Sequence, residues 1–308
     1  MTQKYMNTET VYGRSVWSFM REVGRLQSSS VQTENQEPLK LPQVAEDLIQ
    51  RYPDAPNKVE RFFKEKPDEY NPFLEIPEAL RPLFIASMEN IQRWAGRGIE
   101  SDLDHILGML GLYRQFVEKA PAALQLVDDK KVRQEIILHD AAEGISGDEE
   151  FSGPAYEAHR AKRKRREKWI TDKLLVPMLP LHLQQSTLRL YETYENPSID
   201  NPTEILVHLL DKLDGFHTLG TKSIIKFPEI YSTPQDMARS IKILLDWVNR
   251  YFECLLAKNA PHEAFIEVKQ IIDNVSAQFP DEVIEKNGLN SLISLPEEGR
   301  DIELGVVV

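Results

Sequence analysis

Apolar residues that recur at helical spacing are the feature that most constrains the fold of this chain. Long segments such as SDLDHILGMLGLYRQFVEKA, from Ser101 to Ala120, place apolar residues three and four positions apart. Alternating apolar and polar residues, which indicate strands, are nearly absent, and no internal repeat is visible. The pattern therefore predicts an all-α fold.

Caps and prolines set the expected helix ends. The segment that starts at Ser101 or Asp102 is expected to end before Pro121. The next one, DDKKVRQEIILHDAAEG, starts at a pair of aspartates and is expected to continue to Gly144. A later helix is expected to have Pro202 in its first turn, where the missing N–H of proline costs nothing.

Composition and charge exclude several classes of protein. The net charge of −12 argues against general binding to nucleic acid or to anionic lipid. Cys254 is the single cysteine, which excludes an internal disulfide and a cysteine-rich zinc site. The N-terminus lacks the apolar core of a signal peptide, and no apolar stretch approaches the roughly 18 residues of a membrane span. We therefore expect a cytoplasmic protein without a membrane partner.

One stretch, EIILHDAAEGISGDEE, combines groups that bind metals or transfer protons. In a continuous helix, His139 and Glu143 lie four residues apart and Asp140 and Glu143 three apart, so all three lean toward one side. A neutral imidazole with carboxylates is a ligand set for a divalent transition metal. An ion needs further ligands, and His105 on the preceding apolar helix is a candidate.

Downstream, the helix with ILVHLLDKLDGF offers two further carboxylates. Asp211 lies well away from the centre of the apolar face of this helix, whereas Asp214 borders it, so periodicity favours Asp214 as the buried acid. The resulting order along the chain is H…HD…D, with an aspartate from this helix as the last member.

Four local motifs make the chain similar to the HD-domain metal-dependent phosphohydrolases, and within them to the bacterial 5′-deoxynucleotidases. IQRW corresponds to INRW of that group, DHIL to EHSL, ILHDAAEGISGD to LLHDASEVLTGD, and LVHLLDKL to LVKQADAL. The resemblance covers roughly residues 85–250 and implies an HD-type helical bundle. The motif register favours Asp211 over Asp214, which would then be its neighbour outside the ligand set.

The resemblance implies a role for each matched residue. One divalent ion, whose identity among Mn, Co, Mg, Zn and Fe stays open, would be held by four ligands: His105, His139, Asp140 and Asp211. Glu143 would act as base or orienting group for the attacking water, and Asp148 would act as an acid/base group or substrate contact across the cleft. Arg93 would meet the phosphate and Trp94 would pack against the sugar.

The expected activity is release of phosphate from deoxynucleoside 5′-monophosphates. An alternative is a deoxynucleoside triphosphate triphosphohydrolase, because the segment after GD departs from the family pattern as EEFSGPAYEAH and a basic run follows from Arg160 to Lys168. That run is equally consistent with a solvated helix face. A further alternative is a nucleotide-sensing or partner-binding module that retains the metal site.

Three regions are expected around this core. Residues 1–80 form an N-terminal helical extension, with an amphipathic helix over 15–27 and a polar, mobile linker near 28–43. Residues 85–250 form the phosphohydrolase core, and residues 251–308 form C-terminal helices and a tail that pack on it. Related enzymes are often dimers, so the resemblance also implies a homodimer.

Overall fold

The computed structural model describes residues 43–93, 100–143, 165, 167–176, 179–193, 201–219, 221, 234–256 and 260–278. These ranges are built from helices, and they hold no strand beyond an isolated bridge between Gln92 and Ser101. The all-α prediction is confirmed. The α-helices are α1 (Gln43–Arg51), α2 (Ala55–Lys64), α3 (Arg81–Asn90), α4 (Asp102–Lys119), α5 (Pro121–Leu124), α6 (Asp129–Leu138), α7 (Leu181–Thr193), α8 (Pro202–Thr218), α9 (Pro234–Leu256) and α10 (His262–Ser276).

The chain divides into two compact units. The first comprises Met1–Leu107 and Arg133–Thr193, and the second comprises Gly108–Val132 and Tyr194–Val308. In the first unit, α1 and α2 pack on α3. Phe63, Phe73 and Phe84 form an edge-to-face chain in its core, with ring centroids 6.4 Å apart at each step.

Helix α8 is the centre of the second unit. It packs along α9 and also contacts α10, and its buried residues extend around nearly its whole circumference. Pro202 occupies the expected position in its first turn. His208 stacks on Tyr251 of α9 with 5.4 Å between ring centroids, and burial raises the pKa of the Tyr251 hydroxyl to about 12.

Glu267, a carboxylate of the second unit, has a structural partner. Helix α10 packs on the short helix α5. Glu267 of α10 accepts a hydrogen bond from the backbone N–H of Ala122 at 2.9 Å, which satisfies a donor at the start of α5 that has no partner within that helix. This carboxylate therefore has a structural role.

Several expected helix ends agree with the structure and one does not. Helix α4 ends at Lys119, before Pro121 as predicted, but α6 ends at Leu138 and not at Gly144. The expected helix over 15–27, almost all of the linker near 28–43 and the tail after residue 278 lie outside the described residues. The division into an extension, a core and a C-terminal region stays a prediction. Among the described helices, none is both long enough and apolar enough to cross a membrane.

Candidate metal centre

A capping box fixes the start of the helix that carries His105. The hydroxyl of Ser101 accepts a hydrogen bond from the backbone N–H of Asp104 at 3.1 Å, and the Asp104 carboxylate faces the Ser101 N–H at 3.5 Å. His105, the next residue, is fully buried in the first turns of α4. The cap therefore defines where the imidazole of His105 lies relative to the preceding chain.

Lys58, from α2, reinforces this cap. Its ammonium group lies 2.9 Å from Asp104 and 2.6 Å from Glu89, and Glu89 accepts a further hydrogen bond from the Ser101 hydroxyl at 2.9 Å. Burial is the largest influence on the pKa of Asp104 and raises it. The hydrogen bond and charge of Lys58, together with hydrogen bonds from Ser101, outweigh burial and leave that pKa below its ordinary value. Sequence analysis did not identify this contact, which joins residues 46 positions apart.

The sequence predicted His139 and Asp140 within a helix. In the structure, both lie in turns directly after α6. The backbone N–H of Ala141 donates to Leu138 and that of Glu143 to Asp140, both three residues back, so the chain tightens beyond the helix. The Ile136 carbonyl, which the Asp140 N–H would use in a continuing helix, accepts a hydrogen bond from Nδ1 of His139 at 2.7 Å. The continuous helix from which Glu143 was grouped with the two residues is therefore absent, although its carboxylate still lies near that of Asp140.

The two histidines and Asp140 converge within the first unit. Nε2 of His105 lies 3.3 Å from Nε2 of His139, and Oδ2 of Asp140 lies 3.1 Å from the latter and 3.7 Å from the former. A carbonyl oxygen can only accept, so the bond to Ile136 places the ring proton of His139 on Nδ1 and leaves Nε2 as the lone-pair donor in the neutral ring. Two imidazole nitrogens and a carboxylate oxygen that face one another fit a divalent metal ion.

Glu143 lies beside this triad. Oxygens of Asp102, Asp140 and Glu143 all lie within 4.8 Å of one another. Glu143 is partly exposed, whereas Asp102 and Asp140 are buried. Asp102 was expected only as a helix cap, so its place among these acids was missed. The clustering of acids in GIESDLDH before His105 is the signal that could have indicated it.

Arg93 lies against carboxylates of the same unit. Nη1 of Arg93 donates to Oδ2 of Asp140 at 2.5 Å, and the guanidinium lies 3.8 Å from Asp102 and 3.9 Å from Glu100. Backbone bonds help to place it, because the Arg93 N–H donates to the Glu100 carbonyl at 2.9 Å. The predicted contact of Arg93 with phosphate stays a prediction, whereas its contact with Asp140 is a feature that the sequence did not reveal.

Both candidate acids of α8 are buried in the second unit. The exposed fraction is 2% for Asp211 and 4% for Asp214, so burial does not separate them as the helical wheel suggested. Asp211 pairs with Lys212 at 2.7 Å. Asp214 packs against Gly108, where a Cβ would come within 2.3 Å of its Oδ1, so only glycine leaves room for this carboxylate. The choice of Asp211 as a ligand stays a prediction.

Two predicted site residues, Trp94 and Asp148, lie outside the described residues. The same holds for the altered segment EEFSGPAYEAH and for most of the basic run from Arg160 to Lys168. Their predicted roles therefore rest on the sequence alone.

Comparison with known families gives one match. Residues 85–221, somewhat less than half of the chain, match the family model described as HD domain. The range includes all four predicted ligands, and the match supports an HD-domain protein of the metal-dependent phosphohydrolase class. It does not distinguish the branches of these proteins or their substrates. No match was found with curated proteins or with solved structures.

Proposed function

We propose that this protein is a metal-dependent phosphohydrolase that acts on nucleotides, with deoxynucleoside 5′-monophosphates as its substrates. The observation that carries the proposal is the convergence of Nε2 of His105, Nε2 of His139 and Oδ2 of Asp140 inside one unit. The HD-domain match over the same residues supports the chemistry. The deoxynucleotidase branch rests on the four local motifs of the sequence.

In this proposal, the three converging side chains hold one divalent ion, and Asp211 supplies the fourth ligand, as the motif resemblance implies. Such an ion, when bound, supplies Lewis-acid polarisation of a phosphoryl oxygen and of water. The hydrogen bond to Ile136 fixes the His139 ring so that Nε2 presents its lone pair. The His139 ring therefore needs little reorganisation to bind an ion.

Glu143 is the proposed proton acceptor. Its carboxylate lies next to that of Asp140 but is partly exposed, so it can be reached by both water and substrate. A carboxylate in this place can take the proton of the attacking water and align the oxygen for in-line displacement. Asp148 is the proposed acid/base group for the opposite side of the reaction, and Trp94 the proposed sugar contact, both from the resemblance.

A phosphate-release screen tests the proposal. The wild-type protein is incubated with deoxynucleoside monophosphates, ribonucleoside monophosphates and deoxynucleoside triphosphates, each with Mn²⁺, Co²⁺ or Mg²⁺. We expect free phosphate from the deoxynucleoside monophosphates and none from Asp140→Ala. Triphosphate released from deoxynucleoside triphosphates would instead identify a triphosphohydrolase. No turnover with any metal would favour a nucleotide-sensing module.

A further inference from the structure

Arg93 contacts the metal-facing oxygen of the candidate centre. The oxygen of Asp140 that faces the two imidazole nitrogens is Oδ2, and this same atom accepts the hydrogen bond from Arg93. The arginine side chain is only 17% exposed, and the Asp140 side chain is 6% exposed. Water therefore screens this contact weakly, and the guanidinium acts directly on a proposed ligand.

Several buried carboxylates lie around Arg93. One guanidinium lies within 4.0 Å of three carboxylates, Glu100, Asp102 and Asp140, whose side chains are almost fully buried. Buried carboxylates require positive charge or hydrogen bonds nearby. Arg93 supplies one positive charge to this group, and a divalent ion at the histidines would supply two more.

We propose that Arg93 limits the metal affinity of this centre, because its guanidinium donates to the same Asp140 oxygen that faces the two imidazole nitrogens. The proposal rests on the proposed function, because it assumes that the two histidines and Asp140 hold the ion. It differs from the role that the resemblance implies, which is contact with substrate phosphate. A phosphate contact affects substrate binding, whereas a guanidinium on Oδ2 repels the ion and weakens Asp140 as a ligand.

The proposal predicts a tighter metal site when the positive charge is removed. A guanidinium bonded to a ligand oxygen lies a few ångströms from the ion, where like charges repel strongly in a poorly hydrated environment. Arg93→Gln should therefore lower the dissociation constant for Mn²⁺ by about tenfold. Arg93→Lys keeps the charge but loses the planar fork, and its dissociation constant should stay within about threefold of wild type.

The experiment measures Mn²⁺ binding to protein freed of metal by a chelator. Free Mn²⁺ is followed by its electron paramagnetic resonance signal during titration, and no substrate is present. Arg81→Gln is the matched control, because the Arg81 guanidinium in the same unit donates to backbone carbonyls and not to carboxylates. Circular dichroism and a thermal melt confirm that each variant is folded.

A second variant tests the opposite sign and keeps the proposal falsifiable if Arg93→Gln does not fold. Glu100→Gln removes a buried negative charge beside Arg93, so it should weaken Mn²⁺ binding severalfold. Tighter binding by Arg93→Gln together with weaker binding by Glu100→Gln supports the proposal.

Four outcomes overturn the proposal. An Arg93→Gln protein that binds Mn²⁺ as wild type does, but has a raised KM for nucleotide, has lost only a phosphate contact. Weaker Mn²⁺ binding by Arg93→Gln means that Arg93 only holds Asp140 in place. Unchanged Mn²⁺ binding by Glu100→Gln excludes an effect of charge on metal affinity. A wild-type protein that binds neither Mn²⁺ nor Co²⁺ refutes the proposed function as well, so the two failures are distinguishable.

Discussion

Two charged clusters of the first unit share the short stretch from residue 100 to residue 105, yet they differ in burial. Glu100 and Asp102 lie near Arg93, whereas Ser101 and Asp104 belong to the cap that Lys58 reinforces. Carboxylates near Arg93 are at most 6% exposed, but the Asp104 side chain is 39% exposed.

The difference in burial changes how strongly the charges of each cluster interact. Around Lys58, water reaches the charges, so the cluster stabilises a helix start by a modest amount and tolerates an excess of acid. Around Arg93, water is largely excluded, so solvent screens the interactions between these charges only weakly. A buried group of acids next to converging histidines is typical of a cation-binding centre.

The largest difference in activity should be between two variants that each remove one aspartate, one from each cluster. Asp140→Ala removes a proposed ligand and should reduce phosphate release by at least about a thousandfold. Asp104→Ala, on the half-exposed side of the same stretch, should retain most of the activity. Steady-state assays with Mn²⁺ measure both, and similar losses in the two variants would mean that the clusters are not functionally distinct.

Glu143→Gln sharpens the comparison within the buried cluster. The amide keeps the size of the side chain but cannot accept a proton from water, so kcat should fall by about a hundredfold. Its dissociation constant for Mn²⁺ should stay near that of wild type, because Glu143 is not a proposed ligand. A large loss of metal binding in this variant would instead make Glu143 part of the ligand set.

Lys58→Met should lower the free energy of unfolding by about 1 kcal/mol or less, since solvent screens its two ion pairs. Lys58→Arg keeps the positive charge and should restore part of this difference. Urea denaturation followed by circular dichroism measures both variants. A decrease of several kcal/mol in the free energy of unfolding would mean that the Lys58 ion pairs are as weakly screened as those of Arg93.

The ion pair of Lys58 and Asp104 predicts how the free energy of unfolding depends on pH. The pKa of Asp104 is lowered below 3.8, so its contribution is present above that value and is lost as the pH falls through the folded-state pKa. Burial lowers the pKa of Lys58, but its bonds to Glu89 and Asp104 outweigh burial and raise that pKa above 10.5. The contribution of Lys58 is therefore present below 10.5 and is lost as the pH rises through the folded-state pKa.

The measurement is the difference in unfolding free energy between wild type and Lys58→Met. It should be constant from about pH 5 to pH 9 and shrink at both extremes. A difference that does not change from pH 3 to pH 11 would mean that packing of the lysine stem, and not its charge, stabilises the cap.

Much of the fold follows from local sequence signals. The start of α8 at Pro202 and the end of α4 before Pro121 reflect the backbone limits of proline. The end of α6 at Leu138 could not be predicted in this way, because the following residues, with two alanines and Glu143, favour a helix. A side-chain hydrogen bond from His139 to a backbone carbonyl accompanies the change to turns.

The candidate site was predictable only in its local parts. The HD motif indicated His139 and Asp140, but the contact of Arg93 with Asp140 joins residues 47 positions apart. No local pattern encodes a contact of that range. The helical wheel also could not rank Asp211 against Asp214, because α8 is buried on nearly all sides and a wheel assumes one exposed face.

The bridge between Gln92 and Ser101 has a consequence for how this chain can vary in length. The N–H of Arg93 donates to Glu100 and the N–H of Asp102 to Ile91, so the two ends of the intervening segment are tied together by their own backbones. Residues inserted or deleted between 95 and 99 would leave Arg93 and the His105 helix in register. A peptide tag inserted there should therefore leave the two flanking backbone bonds intact.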